Sequence, residues 1–159
     1  AVKKDFRDIY SSPMSQGTRC HQLATYIVFD SPLVMLCDAP TAYRKEPECT
    51  RFIAGLPVVA DETRILQGKM GEYIVTARRV GEDWIVGGLT DWEARTVDLD
   101  LSFLPEGMFR AEIFCDGINA DKKGEDYRHE YRDVKREDRL KMQLAPGGVF
   151  AIRLKKNHN

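Results

Sequence analysis

No stripe of one charge runs through this sequence: the formal net charge is −1, and acidic and basic residues are spread over both halves. Nucleic acid and anionic membrane are thereby excluded as expected partners, because both are recognised through clustered cationic side chains. Long apolar runs are also missing. The most apolar stretch, residues 23–36, is broken by Asp30, Ser31 and Pro32 and is too short to cross a bilayer. The opening residues, Ala1-Val2-Lys3-Lys4-Asp5-Phe6-Arg7-Asp8, lack the apolar core and small-residue cleavage site of a secretory leader.

Cysteine is sparse and unpatterned. Cys20, Cys37, Cys49 and Cys115 make no C-x-x-C pair and no finger-like spacing with histidine, which excludes a zinc finger or a dithiol redox centre. Buried free thiols are the plain reading, with one disulfide, Cys37 to Cys49, left open for an exported protein. No G-x-S-x-G is present and no cysteine sits beside a suitable base. No glycine loop suited to phosphate occurs either. Gly87-Gly88 lies inside a strand-like run, where it permits close backbone packing or a bulge.

What is present is the composition of a globular protein, 43% hydrophobic and 31% charged, with a change of period near residue 57. Before it the chain reads as helix. Cys20, Leu23, Ala24, Ile27 and Val28 recur at helical spacing, with Thr18 as N-cap. Ser31-Pro32 restarts a helix through Leu33, Val34, Leu36 and Cys37, which Asp38-Ala39-Pro40 ends. Glu46-Pro47 opens a last short helix and Gly55 closes it. After Pro57 the period is two. Val97, Leu99 and Leu101 alternate with polar residues, as do Leu140, Met142 and Leu144. Residues 73–80 and 83–89 form a hairpin at Gly81-Glu82-Asp83, and 109–115, 149–154 and, more weakly, 127–134 supply further strands.

The expected fold is therefore mainly β: an antiparallel β-sandwich of about seven or eight strands, residues 57–159, preceded by a short helical stub, residues 1–56. The stub is too apolar for water and too small to enclose a core. It must pack on the sandwich, on another copy, or on a larger domain.

Two stretches resemble one family. Met14-Ser15-Gln16-Gly17-Thr18-Arg19-Cys20-His21-Gln22-Leu23-Ala24, running on to Asp30-Ser31-Pro32-Leu33, is similar to the end of the catalytic barrel in glycoside hydrolase family 97. Asp61-Glu62-Thr63-Arg64-Ile65-Leu66 and Gly71-Glu72-Tyr73-Ile74-Val75-Thr76-Ala77-Arg78-Arg79 resemble the opening of its C-terminal β-domain, although Ala60 stands where a larger aromatic is common. Trp84-Ile85-Val86-Gly87-Gly88-Leu89-Thr90-Asp91-Trp92, Asp116-Gly117-Ile118-Asn119-Ala120-Asp121 and Leu144-Ala145-Pro146-Gly147-Gly148 extend the match in order.

The resemblance implies a parent enzyme with an N-terminal β-sandwich, a (β/α)8 barrel and a C-terminal β-domain. It implies hydrolysis of α-glucosides or α-galactosides, a calcium ion in the barrel and a periplasmic or otherwise exported home. On this reading residues 1–56 end the barrel and 57–159 form an accessory domain, with the barrel as partner and self-association as a second role. The family's catalytic glutamates and calcium ligands lie upstream of Met14, so this chain is expected to hold no catalytic residue, no metal ligand and no cofactor.

The local alternatives are weaker. Glycoside cleavage needs two carboxyl groups flanking one bond. Asp61 and Glu62 are adjacent, so on a strand they point apart, and they read as a structural link pairing with Arg64 or Arg78. Asp98 and Asp100 share a face that reads as solvated. Asp116 to Asp121 carries oxygen donors but lacks calcium-loop spacing, and a tight turn held by Asp and Asn is preferred. His21, His129 and His158 stand apart from carboxylate clusters. Among Trp84, Trp92, Tyr73 and Tyr127, Trp84 reads as core, and Trp92 is the candidate stacking platform if the β-domain is instead a carbohydrate-binding module for an oligosaccharide.

Overall fold

The computed structural model describes residues 2–11, 13–31, 33–36 and 39–157. Three helices come first: α1 (Arg19–Val28), α2 (Pro40–Lys45) and α3 (Pro47–Ala54). The strands follow: β1 (Glu62–Lys69), β2 (Tyr73–Val80), β3 (Asp83–Thr90), β4 (Arg95–Asp100), β5 (Phe109–Asp116), β6 (Tyr127–Val134), β7 (Arg139–Leu144) and β8 (Val149–Lys156). Six make an antiparallel sheet in the order β1-β2-β3-β8-β5-β6, and β4 and β7 pair in a second, two-stranded sheet. The expected mainly β, antiparallel architecture with a helical lead-in is what forms. None of the described helices is long and apolar enough to cross a membrane.

The large sheet is covered on both faces, and its central strands show it. Trp84, Val86, Phe150, Ile152, Leu154, Phe109, Ala111 and Ile113 point toward Val97, Leu99, Leu140, Met142 and Leu144 of the small sheet and form one core. The alternate residues Ile85, Phe114, Val149 and Ala151 point the other way, onto Cys20, Leu23, Ala24 and Ile27 of α1 and Cys49 and Phe52 of α3. Strands buried on both sides lose their alternation and read as continuous apolar runs, as β3 and β8 do. The small sheet faces solvent on one side, so β4 and β7 keep theirs, with burial switching at every residue of β7.

The paired glycines of β3 set the spacing of both layers. A Cβ on Gly87 would lie 2.9 Å from Ile27 Cβ, and one on Gly88 would enter the Phe150 ring. The two positions thus allow the close approach that the sequence suggested, one to each cover. The hairpin at Gly81 also forms: Val80 opposes Asp83, and Gly81 takes the left-handed φ of 59° that such a two-residue loop requires.

Three expectations change. Residues 33–36 are not helical. The Ser31 hydroxyl donates to the Leu33 carbonyl (2.9 Å) instead of capping amides, and Tyr26 Oη donates to the Met35 carbonyl (3.2 Å). Those carbonyls are thus engaged outside any helical ladder, and so short a run cannot nucleate without a surface to bury. Pro32, Cys37 and Asp38 of that predicted helix, and with them the Cys37–Cys49 pairing, lie outside the described residues, as does His158. Second, Pro40 begins a helix rather than ending one: it is the first residue of α2, where its missing N–H costs nothing, and Arg44 and Lys45 meet the negative end of the helix dipole. Third, β1 is a full strand that periodicity missed. It is an edge, mostly exposed, and a bulge between Ile65 and Gln67 breaks its alternation.

Candidate functional site

The stub's apolar faces are met by the sheet. Leu23, Ile27 and Phe52 are almost fully buried there, each contributing roughly 1.5–3 kcal/mol by withdrawal from water. Thr18 takes the N-cap position of α1 but makes no capping bond from its side chain. What stays uncovered is the segment after α1. Phe29, Leu33, Val34, Met35 and Leu36 are all exposed, Leu33 by 75%. Beside this rim a groove of about 490 Å³ opens between the N-terminal residues and the three helices, lined by Met14, Leu23, Tyr26, Met35, Tyr43 and Ile53 among others. So concentrated an apolar rim has the composition found at contact surfaces.

Between α3 and the edge of the sheet lies a polar seam that the sequence did not announce. His129 stacks on Phe114, with ring centroids 4.1 Å apart, and its two nitrogens face Glu48 and Glu112, each at 3.2 Å. Tyr131 donates to Glu112 (3.1 Å), and Tyr127 donates to Glu46 (3.3 Å). Arg153 reaches from β8 to the Phe52 carbonyl at the C-terminal turn of α3, and Arg19 pairs with Glu46. These contacts join residues far apart in the chain, so no local motif could have signalled them. Burial raises the Tyr127 hydroxyl pKa, with nearby Cys49 and the Glu46 and Glu48 carboxylates adding to the shift.

A second hub forms at Asp116. Its Oδ2 accepts from the Ala145 and Val149 amides, at 3.0 and 3.1 Å. Burial pushes its carboxyl up from the ordinary range, while the Thr18 hydroxyl and those two amides oppose the shift. The Asp116–Asp121 segment is a turn, but the side chain that holds it is Asp126, which accepts from the Asn119 amide at 2.8 Å. Asp116 itself points away from it. Among the described residues, no three His, Cys, Asp or Glu side chains converge as a metal site needs.

Asp61 and Glu62 converge more than adjacent strand residues should, because Asp61 precedes β1. Both reach Arg79, Glu62 at 3.2 Å and Asp61 at 3.7 Å, and Glu62 also pairs with Arg64 at 2.5 Å. Arg78, the other expected partner, points to the helical face and meets Asp30 at 3.3 Å. Register explains the difference: Glu62 opposes Arg79 across the ladder, and Arg78 alternates to the other side. The Arg64 and Arg79 hydrogen bonds hold Glu62 below its usual range, the reverse of what a general acid requires. Asp98 and Asp100 are likewise engaged, by Arg139 at 3.0 and 2.6 Å. Cys20, Cys49 and Cys115 are buried free thiols whose pKa values are raised by desolvation, so none is an activated nucleophile.

Of the aromatics, Trp84 is core, edge-on to Phe103 at 5.1 Å. Trp92 is half-buried: its ring lies against Gly147, and Lys3 Nζ stands 5.9 Å from the ring centroid. Tyr73 lies under the Arg95 guanidinium at 5.6 Å.

Residues 59–155 match the family model described as "Glycosyl-hydrolase 97 C-terminal, oligomerisation". Over 155 residues the chain is 55% identical to a "Retaining alpha-galactosidase" of Bacteroides thetaiotaomicron, covering 98% of this chain and 23% of that protein. A "Probable retaining alpha-galactosidase" of Streptomyces bingchenggensis is 29% identical over 130 residues, 82% of this chain and 19% of that one. Among solved structures, a glycoside hydrolase family 97 enzyme of Pseudoalteromonas sp. strain K8 in complex with acarbose superposes with a TM-score of 0.86 at 37% identity, over 89% of this chain and 23% of that one. The chain thus spans under a quarter of the length of these relatives. It belongs to the glycosyl-hydrolase 97 C-terminal family, whose description is that of an oligomerisation domain.

Proposed function

We propose that this chain is the C-terminal accessory part of a larger enzyme that cleaves α-galactosides with retention, and that it supplies no catalytic residue of its own. The observation that carries the reading is the 55% identity to a retaining α-galactosidase, continuous through 98% of this chain yet confined to 23% of that protein. Residues 1–56 would complete the barrel and 57–159 form the accessory domain. The exposed rim at Phe29 and 33–36 is then the seam to the barrel. Calcium, with ligands in the barrel, and export from the cytoplasm belong to the same proposal.

The test is made on the protein as its source cells produce it. Intact mass and N-terminal sequencing should return a much larger product, located outside the cytoplasm. That product should hydrolyse an aryl α-galactoside faster than the α-glucoside and lose activity to a calcium chelator. This chain alone should be inactive on both. A product beginning at Ala1, or calcium-dependent turnover by the pure chain, would sink the reading. The binding-module alternative rests on Trp92 as the indole left outside the core. Stacking a sugar there needs Lys3 displaced, and titration calorimetry with galactosides and starch oligosaccharides should be flat for wild type and Trp92→Ala alike.

A further inference from the structure

The six-stranded sheet ends in two edges of different character. At one, β1 is interrupted by its bulge and by Gly68, features that spoil an edge as a template for another strand. At the other, β6 pairs with β5 through every residue from Tyr127 to Val134 without a shift, contains no proline and, among the described residues, has no strand on its outer side. Tyr131, in its outer half, is 53% exposed.

We propose that β6 is the strand through which two copies of this chain associate, pairing antiparallel with itself about a two-fold axis at Tyr131 to join two sheets into one. This deepens the self-association named by the family description and rests on it. The charges of β6 select the register. A two-fold axis normal to the sheet must pass through a residue, so that opposed side chains share a face. Centred on Glu130, it would set Glu130 on itself and Arg128 on Arg132. Centred on Arg132, it would set Arg132 on itself. Centred on His129, it would pair only residues 127–131. Centred on Tyr131, it brings residues 128–134 into register, and Glu130 of each copy faces Arg132 of the other. The two tyrosines then meet on the axis, and His129 faces Asp133. Glu130 and Arg132 already pair within the strand at 3.2 Å, so the contact would close a ring of alternating charges. The same alternation disfavours the other long registers, since like charges directly opposed are destabilising.

The full chain is tested by sedimentation equilibrium, in a Cys37→Ser background for the cross-linking arm. Glu130→Arg and Arg132→Glu should each weaken the dimer by about 10- to 100-fold, because each change sets two like-charge pairs across the axis. The double exchange E130R/R132E should restore it, with unchanged circular dichroism throughout. Tyr131→Cys should form a disulfide-linked dimer under mild oxidation, since facing Cβ atoms on paired strands are about 4.5–5.5 Å apart, and Glu130→Cys alone should not. A dimer indifferent to both charge changes and uncrosslinked through Tyr131→Cys overturns the β6 interface and leaves self-association standing. A chain that stays monomeric at every concentration overturns both.

Discussion

The two faces of the large sheet are covered by different means. Toward β4 and β7 the cover is strand on strand, with an apolar centre where Trp84, Phe109 and Phe150 fill the gap and polar ties at its margin, from Gln67 to the Asp98 carbonyl and from Arg95 to Thr90. Toward the helices the cover is part apolar, from α1 and Phe52, and part polar, through His129, Glu112, Glu48 and Arg153. The strand side has a continuous apolar core, with its polar contacts kept to the margin. The helical side mixes core with hydrogen-bonded contacts, and its outer rim stays bare at Phe29 and Leu33. A layer built this way can be both fastened to its own sheet and fitted to something beyond it.

Removing residues 1–56 should have the largest effect on that contrast. It uncovers Ile85, Phe114, Val149 and Ala151 together, and the truncated chain should bind a hydrophobic dye and aggregate on light scattering. A soluble, dye-silent product would show that the helical layer is dispensable to the sheet. Phe150→Ala, in the strand-side core, should cost about 3–5 kcal/mol in urea unfolding. Phe52→Ala should fall at the lower end of that range, because the Arg153 side chain over its ring, 4.8 Å away, can settle into the gap. Equal losses would erase the distinction between the two covers. Gly87→Ala should cost about 1–3 kcal/mol by pressing Ile27 outward, read in the same titration.

The smallest effect, and the sharpest in sign, concerns pH. The Asp116 carboxyl is raised in the folded state, so its contribution to stability is present below the unfolded value of 3.8 and is lost as pH rises through the folded value. Glu62 is lowered, so its contribution is present above the unfolded value of 4.5 and is lost as pH falls through the folded value. Measured against wild type from pH 3 to 8, Asp116→Asn should therefore gain relative stability as pH rises, and Glu62→Gln should gain it as pH falls. Parallel trends for the two variants would contradict the opposed environments described above.

Legibility followed the same division. β4 and β7 were readable because one wet face enforces alternation, and α1 because four of its five predicted face residues are the buried ones, Val28 lying partly exposed. Residues 33–36 misled because apolar composition and Ser31-Pro32 imitate a helix start, whereas their side chains stay exposed and their carbonyls at Leu33 and Met35 are taken by side-chain hydroxyls. Family membership was legible from the ordered stretches between Met14 and Gly148. The seam at His129 was not, since Glu112 and His129 of the β5–β6 pair meet Glu48 only after α3, far away in the chain, is laid on them. Arg78 went to Asp30 rather than Asp61 for a related reason: strand alternation puts it on the opposite face from Arg79, and only the folded sheet shows which of those faces the helices cover.

The place of β8 has a consequence for how this chain is made. The latest strand in the sequence lies in the middle of the sheet, between β3 and β5. As the polypeptide emerges, β1-β2-β3 and β5-β6 can form only as two separate ladders, each with a raw inner edge, and α1 has half its seat missing. Residues 149–156 join them in a single late event. Until those residues are made, each ladder presents an unpaired inner edge and uncovered apolar surface, the kind of partly folded state that is prone to aggregate. Any stop codon ahead of Val149 would leave the cell with that intermediate permanently.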